Sequence, residues 1–365
     1  MLPAMEAALI RRVPRVRALH VEPDGVLWAG RGRSLLHSDD DGASFERVAG
    51  FRGGWVDRLA EHSRLLARAG RAGLHACVPL ADGAAVLVAR KRILRREPGG
   101  DELRPVFAVP RGSRPMNLCR TPAGRLYFGE YFSNPDRDAV HVYASDDGGR
   151  TWAVAYTFPA GTIRHVHGVF HDPHRDGCWV LTGDTDAEST IRFTDDDFAH
   201  VETVFAGSQQ ARAVALLPGP DALWTGTDTP REQNYLQRLD PQSGRIERLQ
   251  PVPGSVFGGC AAGAYKVFSV AVEPSTVNTG REASLWFSRD GETWRMLYSR
   301  ERDAAQPGPG ASRPRRLIGA LLQHGVLVLP SGRATRPLLY AYGQALRGDD
   351  DTTLCWDLDR AWSKR

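Results

Sequence analysis

The amino-acid sequence predicts an all-β protein built from repeated units of four short antiparallel strands. Three observations support this fold class: a recurrent turn motif, a spacing of roughly fifty residues between its copies, and short apolar runs that alternate with turn residues. The 38 glycines and 24 prolines among 365 residues can supply the many tight turns that such a fold needs. Helical periodicity is confined to one short stretch, Trp55–Ala69.

The turn motif is clearest in Ser145–Trp152, whose sequence SDDGGRTW follows the pattern Ser-x-Asp-x-Gly-x-Thr-Trp. Ser38–Phe45 keeps the anchor positions with conservative changes, Ser288–Trp294 is one residue shorter, and Thr194–Phe198 lacks the glycine. A carboxylate that accepts backbone N–H bonds and a glycine that adopts positive φ both suit a tight turn between strands. We therefore expect a structural turn with the closing aromatic ring packed beneath it.

The spacing of the motif copies predicts the number of units. The copies begin at residues 38, 145, 194 and 288, so the intervals of 107, 49 and 94 residues correspond to two, one and two units. Filling the gaps predicts seven blades of one β-propeller domain that spans residues 1–365. The blades are expected to begin near residues 16, 74, 115, 165, 211, 256 and 316. Six blades are the alternative, if the unit that begins near His75 is an insertion.

Each unit opens with two strand-like runs separated by a turn signal. The predicted pairs are Arg17–Val21 with Val26–Gly30, His75–Pro79 with Ala84–Ala89, Asn117–Arg120 with Leu126–Gly129, His167–Phe170 with Cys178–Gly183, Arg212–Leu217 with Ala222–Gly226, Gly258–Ala262 with Tyr265–Val272, and Leu317–Leu322 with Val326–Leu329. The last stretch, Thr352–Leu358, is predicted to be the outer strand of the last unit or a strand shared with the first.

Composition narrows the classes of function. The net charge of +4 does not indicate a nucleic-acid partner. Five scattered cysteines without a Cys-x-x-Cys pair argue against a disulfide framework and against a cysteine zinc site. Met1–Val16 lacks the apolar core of a signal peptide, and no later run approaches a membrane span, so we expect a cytoplasmic protein without a membrane partner.

Charged residues follow the second strand of successive units. Arg31, Arg90 and Lys91 end this strand in the first two units, and the next four units end it in carboxylates: Glu130, Asp184, Asp228 and Glu273. A charge beside an apolar strand costs free energy unless it meets a partner, a ligand or water. We expect these residues at one mouth of the propeller, opposite the turn motifs. Glu130, Asp184 and Asp228 are candidate catalytic groups and Glu273 a candidate substrate contact; the alternative is that each carboxylate pairs with a neighbouring arginine.

The sequence IRHVHG at Ile163–Gly168 is the strongest candidate at this mouth. Strand alternation places His165 and His167 on one face, where they can transfer protons, hold an anionic sugar or bind a divalent metal. The sequence requires no cofactor, but a divalent metal at His165 and His167 is compatible with it. Purely structural histidines are the alternative. Nearby predicted substrate contacts are Arg114, Asn117, Arg164 and Arg212.

Two loops combine aromatic rings with amide and carboxylate groups, which suits the stacking and hydrogen bonding that sugars require. They are Glu130–Pro135 and Thr227–Tyr235, and they add Tyr131, Asn234 and Tyr235 to the predicted substrate contacts. A role in loop packing alone is the alternative.

The repeated turn motif resembles that of the Asp-box, or BNR-repeat, β-propellers of the sialidase-like superfamily. That group includes sialidases and other glycoside-processing enzymes, sortilin-type receptors and photosystem assembly factors. Arg12-Val13-Pro14 is similar to the Arg-Ile-Pro motif of sialidases, whose arginine joins two others to clamp the substrate carboxylate. No motif in this chain identifies the tyrosine nucleophile that sialidases use, although Tyr131 or Tyr235 can be nominated.

The resemblance and the predicted polar mouth together imply a carbohydrate-active enzyme that cleaves a glycosidic bond in an acidic or complex polysaccharide. A glycosidase would use two of the predicted carboxylates. A lyase would use His165 or His167, with an arginine that neutralises a uronate. The alternative is a non-catalytic propeller that binds a glycan or acts as a protein-interaction scaffold.

Overall fold

The computed structural model describes residues 8–60, 63–303 and 323–363. These residues form an all-β fold, as predicted. The first strands in chain order are β1 (Leu9–Pro14), β2 (Arg17–Val21), β3 (Leu27–Arg31), β4 (Ser34–Ser38), β5 (Glu46–Gly50), β6 (Leu74–Pro79), β7 (Ala85–Ala89), β8 (Arg92–Arg96), β9 (Leu103–Ala108), β10 (Cys119–Arg120), β11 (Leu126–Gly129), β12 (Val140–Ser145), β13 (Ala153–Phe158), β14 (His165–Asp172) and β15 (Gly177–Gly183). The others are β16 (Thr190–Thr194), β17 (Glu202–Ala206), β18 (Ala213–Pro218), β19 (Leu223–Thr227), β20 (Asn234–Asp240), β21 (Arg245–Val252), β22 (Val256–Ala262), β23 (Tyr265–Val270), β24 (Glu282–Ser288), β25 (Arg295–Glu301), β26 (Val326–Val328), β27 (Ser331–Ala334), β28 (Leu338–Gln344) and β29 (Thr352–Asp357).

The chain forms two compact units. The second comprises His75–Thr229 and Tyr235–Arg248 and holds, apart from a few strand ends, four antiparallel sheets: β6 to β9, β10 to β13, β14 to β17, and β18 to β21. The first unit contains the rest of the chain. It has one sheet in the order β1-β29-β28-β26 and one sheet of nine strands in the order β25-β24-β23-β22-β27-β2-β3-β4-β5.

The predicted blade number, seven with six as the alternative, is wrong. The described residues contain five separate four-stranded sheets, and the other strands do not divide into blades of the expected kind. The reason is β27, which pairs in parallel with both β2 and β22 and so merges two four-stranded groups into one sheet. The six-blade alternative also fails, because the stretch from Leu74 to Ala108 is a complete sheet and not an insertion.

The last predicted strand is correctly located, but it is not the outer strand of its sheet. Thr352–Leu358 is predicted as the outer strand of the last unit or as a strand shared with the first, and β29 lies between β28 and the N-terminal strand β1. The N-terminal strand β1 takes the outer place, because its residues pair with β29 from Leu9 to Pro14. The predicted strand Leu317–Leu322 and the expected blade start near residue 316 lie outside the described residues.

Helices are few and short in the described part of the chain. The predicted helical stretch Trp55–Ala69 forms two helices, Trp55–Ala60 and Arg64–Gly70, and a third helix, Leu358–Ser363, follows β29. Gln209–Ala211 is a single 3-10 turn. None of the described helices has the length and apolar character needed to cross a membrane.

The apolar runs become strands because sheets cover them on both faces. β7 (AVLVA) and β15 (GCWVLTG) are buried along their whole length, as expected for strands with sheets on either side. β13, at the edge of its sheet, has three exposed residues out of six and a single buried one. Side chains from neighbouring sheets form the core; Trp179 and Leu181 of β15 pack with Leu216 of β18.

One carboxylate holds the turn at Ser145–Trp152. Asp147 Oδ1 accepts hydrogen bonds of 2.9 Å from the Ser145 hydroxyl and from the backbone N–H groups of Arg150 and Thr151. Asp147 Oδ2 accepts another, of 2.7 Å, from the Thr151 hydroxyl. The motif therefore has the structural role that its sequence predicts.

Glycine and the closing aromatic ring complete this turn. Gly149 has a φ of 82°, which glycine adopts without strain, and the Trp152 ring packs 5.0 Å from that of Phe128. The other three copies repeat the carboxylate contacts through Asp40, Asp196 and Asp290. All four turns join the third strand of a group to the fourth, as predicted.

Arginines from neighbouring sheets bind these turns. Arg95 of β8 donates through Nε to the Gly148 carbonyl at 2.9 Å. Arg125, which precedes β11, contacts Asp146 at 2.6 Å and Asp197 of the next sheet at 2.7 Å. The turns therefore connect adjacent sheets as well as adjacent strands.

We expect Asp147→Ala to lower the free energy of unfolding by about 1–2 kcal/mol at neutral pH, since the turn loses its hydrogen-bond acceptor. Partial burial acts to raise the pKa of Asp147, but hydrogen bonds from Thr151, Ser145 and Arg150 outweigh it and lower the pKa from 3.8 to about 2. Because the folded-state pKa is depressed, this stabilisation is complete above pH 3.8 and is lost as the pH falls through about 2.

Chemical denaturation at pH 7 and in steps from pH 4 to pH 2 measures both effects. Asp39→Ala is the control, because Asp39 is an exposed carboxylate in the turn at Ser38 that is not at the hydrogen-bonding position. Equal stability of Asp147→Ala and Asp39→Ala would contradict the assigned role.

Candidate functional site

His165 and His167 lie at the start of β14, and a β-bulge directs the second ring. Val166 pairs with Thr182 and Gly168 with Leu181, which leaves His167 as the extra residue between two regular pairs. Bulges re-aim side chains at sheet ends. Both side chains are buried, and their Nε2 atoms lie 3.2 Å apart. The structure therefore brings together the two histidines that the sequence placed on one strand face.

A glycine on the partner strand makes room for His167. Gly183 pairs with His165 at the end of β15, and a Cβ atom added there would lie 2.5 Å from Cε1 of His167. Any larger residue at position 183 would therefore displace the ring. Gly183 is not among the predicted site residues, because a glycine at the end of a predicted strand does not by itself indicate a packing partner for a histidine on the neighbouring strand.

Backbone carbonyls from neighbouring sheets orient both imidazoles. His165 Nδ1 is 3.0 Å from the Phe132 carbonyl, and His167 Nδ1 is 2.8 Å from the Ala213 carbonyl. A carbonyl only accepts, so we assign the proton of each neutral ring to Nδ1. Both Nε2 atoms then carry a lone pair, and the two lone pairs converge.

Asp184 follows β15 and completes the cluster. Its Oδ1 atom lies 3.6 Å from Nε2 of His165 and 3.7 Å from Nε2 of His167. Together with the 3.2 Å between the nitrogens, these distances leave a point about 2.0 Å from all three atoms, which is the length of a zinc–nitrogen or zinc–oxygen bond. The residues thus fit a divalent ion bound by two imidazoles and one carboxylate.

The protonation states of His167 and Asp184 also favour metal binding. Burial lowers the pKa of His167, which keeps the imidazole neutral as a metal ligand must be. Burial acts to raise the pKa of Asp184, and the adjacent guanidinium of Arg212 acts to lower it; in the Nδ1–H tautomer neither imidazole donates a hydrogen bond to this carboxylate. The carboxylate is therefore ionised.

Two arginines and a second carboxylate surround this cluster. Arg164 NH1 lies 2.7 Å from Asp184 Oδ2, and Arg212 NH2 lies 3.2 Å from Asp184 Oδ1 and 3.4 Å from Asp228 Oδ2. Two guanidinium groups and two carboxylates cancel in charge when the histidines are neutral. A divalent ion would leave the site positive, and so able to attract an anionic ligand.

Glu130 has a different environment from Asp184. Its side chain is fully buried; Arg111 donates to both carboxylate oxygens and the backbone N–H of His141 donates at 2.9 Å. The alternative that the sequence analysis left open, pairing with a nearby arginine, describes this residue. Arg111 was missed, because no pattern distinguishes it from the other arginines of the chain.

Other predicted contacts of the second unit lie beside the cluster or support it. The Tyr131 ring centroid is 4.4 Å from that of His165. Asn117 exchanges hydrogen bonds with the backbone of Val169, at 2.7 and 3.2 Å, and so holds β14. Arg114 is partly buried before β10, and its predicted role stays a prediction.

Asn234 and Glu273 belong to the first unit, in a separate polar network. Asn234 donates to Asn278 at 3.0 Å, Asn278 is 3.5 Å from Ser255, and the Ser255 hydroxyl donates to Glu273 at 2.8 Å. Tyr235 belongs to the second unit, and the Arg248 guanidinium lies over its ring at 5.1 Å from the centroid. Their predicted roles in substrate binding stay predictions.

Arg12 has a partner inside its own unit. Its guanidinium pairs with the buried carboxylate of Asp349, which also accepts bonds from Tyr298 and Arg300. The resemblance to sialidases implies that Arg12 binds a carboxylate of the substrate. In this structure Arg12 instead binds the carboxylate of Asp349.

Comparison with known proteins identifies the class of fold. No protein-family model matches the chain, and no curated protein matches it. The solved structure of an oligogalacturonate lyase in complex with manganese is similar with a TM-score of 0.58 at 10% identity, covering 96% of this chain and 92% of that chain. The WD40 β-propeller domain of Doa1 is similar with a TM-score of 0.57 at 11% identity over 96% of each chain.

Identities this low show the fold alone, so the chain has a β-propeller fold. No particular function follows from these similarities, since one of the two proteins is a lyase and the other a WD40 domain.

We expect long-range nitrogen–proton NMR spectra to show the Nδ1–H tautomer for His167 near neutral pH, since burial lowers its pKa and the Ala213 carbonyl accepts from Nδ1. Gly183→Ala should change the signals of His167 because the added methyl group overlaps the ring. Gly258→Ala is the matched control, since a Cβ there has its nearest neighbour at an ordinary 3.9 Å. Unchanged His167 signals in folded Gly183→Ala would contradict the described packing.

Proposed function

We propose that this β-propeller is a metal-assisted carbohydrate-active enzyme, a lyase that cleaves a uronate-containing polysaccharide. The observation that carries the proposal is the convergence of His165, His167 and Asp184 on one point with the bond distances of a divalent ion. A divalent ion bound there would supply a Lewis acid for the negative charge of an acidic sugar.

The carboxylates favour a lyase over a glycosidase. A glycosidase needs one protonated and one ionised carboxyl group, with the sugar or a water between them. Asp184 is ionised, and the guanidinium of Arg212 occupies the space between Asp184 and Asp228. Glu130 is fully engaged by Arg111. None of these groups is therefore suited to protonate a leaving group.

Charge favours an acidic substrate. The loaded site would carry excess positive charge, and the Arg164 side chain, which is 34% exposed, is accessible to a ligand. A uronate carboxylate matches both features, whereas a neutral sugar would leave the charge unbalanced.

The reaction that fits these groups is β-elimination. A base removes the proton at C5 of the uronate, the electron pair forms the C4–C5 double bond, the C4–O bond breaks, and the leaving oxygen takes a proton. Tyr131, whose ring centroid lies 4.4 Å from that of His165 at an interplanar angle of 47°, is the group at the edge of the cluster that we assign to both proton movements: its phenolic oxygen takes the C5 proton and returns a proton to the leaving oxygen. Arg164, the more exposed of the two arginines, stabilises the negative charge that develops on the substrate carboxylate.

Two further observations support the proposal. A solved propeller of the same fold is an oligogalacturonate lyase in complex with manganese. The four carboxylate turns have the hydrogen bonds that the Asp-box sequence predicts, which supports placing the chain among the Asp-box propellers, a group that contains glycoside-processing enzymes.

We expect the protein to bind Mn²⁺ or Zn²⁺ with one ion per chain and to release unsaturated uronates from acidic polysaccharides. His167→Ala should weaken metal binding by about 100-fold or more and abolish turnover, because one of three ligands is lost. Isothermal titration measures the binding; ultraviolet absorbance of the unsaturated product and reducing ends, followed in parallel, measure the reaction. His174→Ala, an exposed histidine after the same strand, is the control.

Each alternative has its own outcome. New reducing ends without ultraviolet absorbance would replace the lyase by a hydrolase. Glycan binding without turnover would make the protein a non-catalytic propeller, and absence of metal binding in the folded protein would refute the metal site.

A further inference from the structure

One oxygen atom of Asp184 faces two competing cations. Oδ1 is the atom that lies 3.6 and 3.7 Å from the two histidine nitrogens, and it is also 3.2 Å from NH2 of Arg212. A divalent ion about 2 Å from this oxygen would stand close to the guanidinium nitrogen, and like charges at such a distance repel strongly in a buried site. Metal binding therefore requires Arg212 to give up this contact.

Arg212 has little access to solvent. Its side chain is 11% exposed, and NH1 is held at 3.1 Å by the main-chain carbonyl of Asp184. A buried guanidinium without a counterion is strongly destabilising. Another buried anion must therefore pair with the guanidinium of Arg212 when it leaves Asp184.

Asp228 is placed to accept it. Its Oδ2 atom is 3.4 Å from NH2 of Arg212, the same nitrogen that contacts Asp184, and its side chain is only 7% exposed. The backbones are also linked, since the N–H of Asp228 donates to the carbonyl of Arg212 at 2.9 Å. A small movement of NH2 from one carboxylate toward the other would exchange the partners without exposing the charge.

We propose that Asp228 is a positioning residue that accepts Arg212 when a divalent cation displaces it from Asp184, and so sets the affinity of the site for that cation. This role rests on the proposed metal site and concerns how its affinity is set. Arg212 is the counterion of Asp184 before the ion binds, and Asp228 is the carboxylate to which Arg212 moves when the ion binds. Asp228 thereby acts on the metal through another side chain and is not itself a ligand.

A double-mutant cycle at positions 212 and 228 tests the proposal. The four proteins are the wild type, Asp228→Asn, Arg212→Gln and the double variant, and the probes are Mn²⁺ and Zn²⁺ alone, in isothermal titration. Asp228→Asn should weaken binding by about 10- to 100-fold when Arg212 is present, because the arginine then stays on Asp184. The same substitution should change affinity by less than about threefold when Gln occupies position 212.

The results separate this inference from the proposed function. An equal loss of affinity in both backgrounds, or no loss in either, would overturn the role of Asp228 while leaving the metal site intact. Absence of binding in the folded wild type would refute the metal site itself. If Asp228→Asn does not fold, Asp228→Glu carries the test: an affinity change present with Arg212 and absent with Gln supports the proposal, and an identical change in both backgrounds overturns it.

Discussion

The candidate site depends on hydrogen bonds that cross from one sheet to the next. The Phe132 carbonyl, which holds His165, lies between β11 and β12 in the sheet that precedes the histidines in the chain. The Ala213 carbonyl, which holds His167, lies in β18 of the sheet that follows them. Each bond fixes a ring orientation as well as a tautomer, so the packing of three successive sheets determines where the two Nε2 lone pairs point. Two converging lone pairs repel each other unless a cation lies between them. An ion bound as proposed would remove this repulsion.

The charged side chains around the histidines determine which kind of ligand the site favours. Arg164 and Arg212 balance Asp184 and Asp228, so the cluster is close to neutral without an ion and positive with one. The arginines thus oppose the ion and favour an anionic ligand at the same time. Competition between Arg212 and an ion for one carboxylate oxygen would make the affinity moderate and adjustable.

The turns with carboxylates lie in a different part of each sheet and have a different role. They join third strands to fourth strands, and arginines such as Arg95 and Arg125 connect them to neighbouring sheets. The contact of Arg125 with Asp197 links the sheet that supplies Phe132 to the sheet that holds the two histidines. The same repeated motif that reveals the fold class thus supports the geometry of the site without taking part in it.

The sequence by itself determined the local elements and the chemistry of the site: the turns, most strand positions, the histidine pair on β14 and the carboxylate after β15. These features follow from turn residues, apolar alternation and adjacency in the chain. Only the tertiary structure decided the grouping of strands, because the pairing of β27 with β2 and of β1 with β29 joins residues more than 300 positions apart, and β27 also pairs with β22 across 72 positions. It also decided which carboxylate faces the histidines. Glu130 and Asp184 occupy equivalent sequence positions and both pair with arginines, but the two imidazoles lie beside Asp184, and no local pattern encodes that difference.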